Sequence, residues 1–117
     1  MTIKTNLISV LTPVLANTWA IELPVNASFP ALVFDIETTP EQQWVLGGGY
    51  DQHTVTVLIY AKTLAEIDTL RAAVDTALEA MAGYMLDGDR GDANYEDDAS
   101  IYAYYCTHVI RLNRSLG

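Results

Sequence analysis

The chain has 117 residues, half of them hydrophobic, and its 15 acidic and 6 basic side chains give a formal net charge of −9. This length and composition favour one globular domain, residues 1–117, and argue against wholesale disorder. The negative charge disfavours nucleic acid binding as a main task, because phosphates would be repelled. The lone cysteine, Cys106, excludes an intrachain disulfide and is predicted to be a buried, inert thiol. No segment approaches the ~20 apolar residues of a membrane span.

The N-terminal segment has the apolar spacing of a helix. Within residues 3–15, apolar side chains recur every three or four positions at Ile3, Leu7, Val10, Leu11 and Val14. Pro13 lacks the backbone N–H that a helix interior needs. We therefore predict a helix that ends near Leu11, or one that is kinked and followed by a short extra turn. An extended segment through Trp19 and Ile21 comes next.

Residues 31–37 and 53–60 alternate as strands do. In the first run, the alternation separates Leu32, Phe34 and Ile36 from Val33, Asp35 and Glu37. We interpret Asp35 and Glu37 as exposed charges that discourage edge pairing, not as a glycosidase carboxylate pair, since nothing indicates a cleft. In the second run neither face is strongly polar, so both are candidates for burial. Residues 38–50 are predicted to be a connection, whose three glycines lack the ending of a phosphate-binding loop.

A capped amphipathic helix follows the second strand almost directly. Thr63 and Glu66 have the spacing of a capping box. The apolar stripe consists of Ile67, Leu70, Val74, Ala77, Leu78 and Met81, and the opposite side carries Asp68, Arg71, Asp75 and Glu79. Asp68 and Arg71 are expected to pair across one turn, and Gly83 is expected to follow the helix as its C′ residue.

An acidic segment, residues 83–100, is predicted to be a loop before a final strand at residues 101–112. Its most closely spaced carboxylates, Asp87, Asp89 and Asp92, are weak candidates for a Ca²⁺ site, because oxygen ligands at such spacing suit that ion. However, Gly91 stands where an EF-hand loop would have its third ligand. We therefore favour a solvated loop or an electrostatic contact surface, and assign no metal or cofactor.

The sequence shows no recognisable catalytic constellation. His53 and His108 are far apart and have no evident third ligand, so they make a weak zinc site. A Gly-x-Ser-x-Gly nucleophile elbow is missing as well. We predict that the protein is not an enzyme. Its seven tyrosines, together with Trp44, are candidates for subunit contacts or for ordinary sheet packing.

The order of these segments resembles that of the tail-terminator and tail-completion proteins, or head-tail joining proteins, of long-tailed bacteriophages. The residues that carry the resemblance are 55–78, a strand that runs into the capped helix, and 102–112, the final strand. The predicted elements and the resemblance both imply an α+β fold. It is expected to be a single domain with a mainly antiparallel sheet, on which an N-terminal helix and a central amphipathic helix pack.

The resemblance also implies a function. Members of this family are structural virion proteins of the tail or neck, without catalytic residues, that form a hexameric ring. The ring caps the tail tube and joins it to the neck or capsid, so the expected partners are further copies of the chain, the tail tube protein and a neck or connector protein. Assembly would occur in the cytoplasm of the host bacterium, without a membrane.

DNA would pass through an acidic lumen of this ring without specific binding. The segments least explained by the core of one domain are residues 38–52 and 84–100, so they are the expected source of assembly contacts. The candidate contact residues are Trp44, Tyr50, Tyr84, Asp87, Asp89 and Tyr95.

Three other interpretations stay open from the sequence. The chain could be another neck or head-completion component of the same particle, a small acidic metal-binding enzyme that uses residues 84–100, or a monomeric binding module. Ring formation would separate the virion interpretations from a monomeric module, and calcium-dependent stability would support the metal-binding enzyme.

Overall fold

Two helices pack against one face of a five-stranded sheet in the part of the chain that the computed structural model describes, residues 3–21, 28–41, 50–94 and 100–113. In chain order the elements are α1 (Ile3–Leu11), β1 (Thr18–Ala20), β2 (Ala31–Glu41), β3 (Tyr50–Ala61), α2 (Leu64–Glu79), β4 (Tyr84–Asn94) and β5 (Tyr102–Asn113). The predicted α+β class, with an N-terminal helix and a central helix on a sheet, is therefore confirmed.

The strands lie in the order β1-β2-β3-β5-β4. Strand β1 runs parallel to β2, whereas the other three neighbouring pairs are antiparallel. Strand β3 lies at the centre and pairs along its whole length with β5. The mainly antiparallel sheet that the sequence predicts is confirmed.

One hydrophobic core lies between the helices and the sheet face that they cover, here called the inner face. Leu7 and Leu11 of α1 and Val74 and Leu78 of α2 have no exposed surface. The sheet contributes alternate residues of its strands, Leu32, Phe34, Val55, Val57, Ile59, Tyr104, Cys106 and Ile110. Burying each of the larger side chains contributes about 1.5–3 kcal/mol, so this layer holds the helices on the sheet.

The opposite sheet face, here called the outer face, has neither described helix packed on it. The strand register places one row of residues side by side across all five strands: Trp19, Val33, Leu58, Tyr105 and Gly91. Val33 is buried and Leu58 and Tyr105 are half-buried, but Trp19 is 42% exposed. A second row contains Glu37, Thr54, Val109 and Leu86. Asp35 and Glu37 are exposed on this face, as predicted.

Helix α1 ends at Leu11, as predicted. The N–H groups of Val14 and Leu15 donate to the Leu11 carbonyl at 2.9 and 3.0 Å, which forms the short turn around Pro13. Neither helix of the described chain has both the length and the apolar character needed to cross a bilayer.

Helix α2 begins as predicted and ends differently. The Thr63 Oγ accepts a hydrogen bond from the Glu66 N–H at 3.2 Å, so Thr63 is the N-cap. Ala80 is the C-cap, and Gly83 is not the C′ residue but lies in the turn into β4, with φ of +87°. A Cβ at Gly83 would collide with the Arg111 carbonyl oxygen. Glycine is needed there because the backbone is left-handed and approaches β5 closely.

The predicted connection at residues 38–50 is too long, because both flanking strands extend into it. Strand β2 continues through Thr38 to Glu41, and β3 begins at Tyr50. Strand β1 pairs only with residues 32–34 of β2. Pro40 therefore lies where one side of β2 pairs with no other described strand, and such an edge tolerates proline.

The prediction of an acidic loop at residues 83–100 is wrong over most of its length. Residues 84–94 form β4, an edge strand that pairs with β5. Asp and Gly are depleted in strands, so the composition indicates a loop. Two register irregularities, between Tyr84 and Leu86 and between Asp87 and Arg90, accommodate this sequence, since bulges and charges are common on edge strands.

Candidate functional site

Four polar side chains meet on the inner face, where α2 lies over β4 and β5. This polar cluster consists of Asp75, Tyr84, Arg90 and His108. Arg90 Nη1 donates to Asp75 Oδ2 at 2.9 Å, and Arg90 Nη2 donates to Asp87 Oδ2 at 3.0 Å. Tyr84 Oη lies 3.1 Å from His108 Nδ1, and His108 Nε2 lies 3.0 Å from Asp75 Oδ1. The cluster therefore ties the edge strand to the central helix.

The strand register explains why these residues face α2. Asp87 pairs with His108 and Arg90 pairs with Cys106, so all four side chains lie on the inner face. The helical pattern predicts Asp75 on the solvent side of α2, and that prediction is wrong. Asp75 follows the buried Val74, and at this border of the apolar stripe its side chain is only 22% exposed because it meets Arg90.

Burial sets the protonation of the cluster. His108 has no exposed surface, and burial lowers its pKa despite the opposing effect of the Asp75 charge. Burial also raises the pKa of Tyr84, whereas the hydrogen bond to Asp75 raises the pKa of Arg90. At neutral pH the cluster thus combines a permanent cation with an uncharged imidazole and an uncharged phenol.

Cys106 lies beside the cluster and is fully buried. The predicted burial is confirmed, and it raises the pKa of the thiol to about 12, so without a bound cation the thiol stays protonated at neutral pH. One donor atom from each of Asp75, Cys106 and His108 lies within 4.8 Å of the others. Sequence reasoning missed this group because Asp75 comes from a helix and the other two come from a strand that follows much later.

The two histidines are buried separately. His53 Nδ1 lies 2.8 Å from Thr38 Oγ, and burial lowers the pKa of His53. His108 instead contacts Tyr84 and Asp75. They do not form a shared ligand group among the described side chains.

The weak Ca²⁺ candidates lie on a strand instead of a loop. Asp87 accepts a hydrogen bond from Arg90, and Asp89 and Asp92 are exposed on β4. Among the described residues, these three carboxylates do not form a group that is close enough to hold one metal ion. The edge strand therefore presents acidic groups to solvent.

The candidate assembly contacts fall into three groups. Tyr84 belongs to the polar cluster, where its hydroxyl contacts His108, whereas Asp87 and Asp89 are exposed residues of β4. Tyr50 is the first residue of β3. Trp44 and Tyr95 lie outside the described residues. Contact of any of these six with another subunit remains a prediction.

Two exposed apolar side chains on the sheet are not among the predicted assembly contacts. Leu86 on β4 is 50% exposed and Trp19 on β1 is 42% exposed. They lie on the outer face at opposite edges of the sheet. The only local signal for the exposed Leu86 in the sequence is that residues 84–86 are three consecutive apolar residues before the acidic run.

Comparison with known proteins relates this fold to virion assembly. The family model described as "Tail completion protein gp17" matches residues 8–103. A solved chain from the "Virion of native gene transfer agent (GTA) particle" has the same type of fold, with a TM-score of 0.61 and 12% sequence identity. The alignment covers 90% of this chain and 85% of that chain. None of the curated proteins that were compared matches the sequence.

These findings place the chain in a class, the structural proteins of phage-type virions. Within that class, the chain belongs to the family of tail completion protein gp17, because the family model spans most of its length. The resemblance to tail-completion proteins that the sequence analysis described is confirmed.

Proposed function

We propose that this protein forms a ring at the end of a phage tail tube, stops growth of the tube there and joins it to the neck or capsid. The observation that carries the proposal is the family match over residues 8–103. In this proposal residues 1–117 act as one tail-terminator-like unit. The ring has six subunits, the number that the resemblance implies.

The outer face supports an assembly role. A sheet face that is open to water usually carries polar residues, but the row through Trp19, Val33, Leu58 and Tyr105 is apolar. Aromatic side chains in such rows are typical interface anchors. We infer that a partner subunit or the tube covers part of this face in the particle.

The two edges of the sheet support a contact between unlike surfaces. A ring closes by head-to-tail contacts, so each copy needs two different patches. Trp19 lies on β1 at one edge and Leu86 lies on β4 at the other, and both are exposed. Such a pair of unlike patches suits a cyclic assembly.

The negative charge of the chain supports a ring through which DNA passes without being bound. The chain carries a net charge of −9, and Asp87, Asp89 and Asp92 are exposed on β4. A lumen lined by such groups repels the phosphate backbone. We infer a virion location in the tail or neck and assembly in the host cytoplasm, with the tail tube protein and a neck protein as partners.

Light scattering of the purified chain over a range of concentrations, together with electron microscopy, tests ring formation. The expected result is a closed six-fold particle, either in solution or after addition of purified tail tubes. A ring that closes only on the tube would appear monomeric in solution, so the tube experiment decides. A chain that stays monomeric and leaves tube ends bare would overturn the proposal.

The length of the tail separates this function from that of another neck component. Particles produced without this chain should contain tubes of excessive and variable length, because nothing stops polymerisation. Addition of the purified chain during assembly should restore one length. Tubes of normal length that merely fail to join capsids would identify a neck or head-completion component instead.

A further inference from the structure

The most distinctive chemical group in the described chain is the set of donor atoms from Asp75, Cys106 and His108. Cys106 and His108 are two positions apart on β5 and therefore project from the same side of the strand. Asp75 reaches them from α2, and one donor atom from each residue lies within 4.8 Å of the others. Carboxylate oxygen, thiolate sulfur and imidazole nitrogen thus converge on one point between helix and sheet.

His108 has the feature that makes this convergence more than a chance grouping. Its side chain has no exposed surface, and its Nε2 has no hydrogen-bond partner among the described residues. That nitrogen nevertheless lies 3.0 Å from Asp75 Oδ1, in an approach that does not satisfy hydrogen-bond geometry. A buried imidazole nitrogen without a partner costs free energy, and a cation beside it would remove that cost.

Tyr84 and Arg90 orient the two side chains that face each other, His108 and Asp75. Tyr84 Oη lies 3.1 Å from His108 Nδ1, so an Nδ1–H can donate to it and leave the Nε2 lone pair directed at Asp75. A metal-ligating histidine usually has such a partner on its other nitrogen. Arg90 donates to Asp75 Oδ2 at 2.9 Å and, with a longer bond, to Oδ1 at 3.4 Å, which orients the carboxylate so that Oδ1 faces His108.

We propose that Asp75 Oδ1, Cys106 Sγ and His108 Nε2 bind one Zn²⁺-type transition metal ion, with a water molecule as the fourth ligand. Thiolate and imidazole ligands favour zinc over Mg²⁺ or Ca²⁺. The 22% exposure of the Asp75 side chain gives the ion and its water a path from solvent.

The charges balance when the ion binds. The divalent cation and the Arg90 guanidinium are together balanced by the carboxylates of Asp75 and Asp87 and the Cys106 thiolate, and the imidazole remains neutral. The thiol gives its proton to solvent as the metal–sulfur bond forms, so binding releases one proton. The ion would cross-link α2 to β5, and this role is independent of the proposed ring.

The test uses the full chain after treatment with a chelator and titration with Co²⁺, which reports its ligands by absorption. The expected result is one Co²⁺ per chain, a near-ultraviolet thiolate-to-cobalt band and the visible bands of tetrahedral cobalt. Zn²⁺ should displace the Co²⁺ and raise the melting temperature. A wild-type chain without the thiolate band, or without a Zn²⁺-dependent rise in melting temperature, would overturn the proposal.

Variants identify the ligands. Cys106→Ser should abolish the thiolate band, and His108→Gln should abolish the tetrahedral spectrum. Tyr84→Phe should weaken Co²⁺ affinity by about 10–100-fold, the usual cost of removing the hydrogen-bond partner of a ligating histidine. His53→Gln, at the second buried histidine, and Asp92→Asn, at an exposed carboxylate of β4, are matched controls that should bind as the wild type does.

Two results would contradict the assignment of ligands. Binding that persists unchanged in folded Cys106→Ser would exclude sulfur coordination, and binding that is lost in Asp92→Asn would place the ion on the exposed edge strand. If the ligand variants fail to fold, the sulfur band of the wild type decides alone, because Cys106 is the only cysteine.

Discussion

Arg90 on the edge strand β4 lies 2.9 Å from Asp75 on α2, and both side chains are less than one-third exposed, at 31% and 22%. This ion pair joins α2 and β4, which follow each other in the chain. Their backbone hydrogen bonds are separate, because those of α2 lie within the helix and those of β4 are made with β5. It also fills the border of the core, where β4 contributes few apolar side chains. The pair therefore explains how an Asp- and Gly-rich segment is held as a strand beneath a helix.

Loss of the Asp75 charge should destabilise the fold. We expect Asp75→Asn to lower the free energy of unfolding by about 1–3 kcal/mol, because a partly buried Arg90 loses the less exposed of its two ionic partners. Asp68→Asn on the same helix is the matched control. Its carboxylate is 71% exposed and lies 3.8 Å from Arg71, so it should cost less than about 1 kcal/mol. Urea denaturation with a chelator present measures both, and equal losses would contradict this account.

Gly83 should tolerate no side chain. Gly83→Ala requires an L residue at φ of +87° and moves a methyl group into the Arg111 carbonyl. We expect a loss of about 2 kcal/mol or more. Gly88→Ala is the control, because the nearest atoms to its Cβ, on Thr107, would lie at 3.5 Å, an ordinary contact. Thermal unfolding should separate the two variants, and a stable Gly83→Ala protein would show that the turn can relax.

A charge in the stripe of α2 should prevent folding. Val74 has no exposed surface, so Val74→Asp buries an unpaired carboxylate, which no marginally stable domain tolerates. Leu70 is only half-buried, so Leu70→Asp should be milder. Ala72→Asp, at an exposed position of the same helix, should retain native circular dichroism. Native spectra for Val74→Asp would be inconsistent with the packing described here.

Stability should fall as the pH decreases below neutrality. Burial lowers the pKa values of His53 and His108 from 6.5. The unfolded chain therefore takes up these protons first, and stability is greatest above about pH 6.5 and declines toward pH 5. The free energy of unfolding, measured by urea denaturation with a chelator present, should follow this slope.

Histidine variants test whether His53 and His108 cause this pH dependence of stability. Replacement of either histidine by glutamine should flatten the dependence between pH 7 and pH 5, and the double variant should be flattest. Ordinary carboxylates titrate mainly at lower pH, so they contribute little in this window. An unchanged slope in the double variant would assign the effect to other groups.

Assembly should depend on the outer face. Leu86→Glu places a charge on an exposed leucine, 50% accessible, at the β4 edge, so we expect normal stability but loss of ring formation or tube capping. Leu64→Glu is the matched control, because Leu64 is 60% exposed at the start of α2. Electron microscopy of tubes mixed with each variant gives the comparison. If the Leu86→Glu variant caps tubes as well as the wild type does, the β4 edge is not part of the assembly interface.

Local patterns predicted most of the secondary structure. The Thr63 cap and the stripe through Ile67, Val74 and Leu78 predicted α2, because a helix repeats its buried face every 3.6 residues. Alternation similarly predicted the central parts of β2, β3 and β5. The end of α1 followed from Pro13, whose restricted backbone acts within one turn.

The candidate sites were less predictable. The acidic residues of β4 indicated a loop, and only pairing with β5 makes them a strand. Asp75 looked solvent-facing because its partners Arg90 and His108 come from later strands. Contacts between residues that are far apart in the sequence leave no periodic pattern in either segment.

The sequence by itself determined the helices, the buried stripes, the buried thiol of Cys106 and the resemblance to tail-completion proteins. Only the tertiary structure decided that residues 84–94 form an edge strand, that Gly83 serves the turn and that Asp75, Cys106 and His108 converge. The physical reason is the range of the interactions involved. Caps and periodic burial act between near neighbours, whereas strand pairing and polar clusters depend on residues that are close only after the chain has folded.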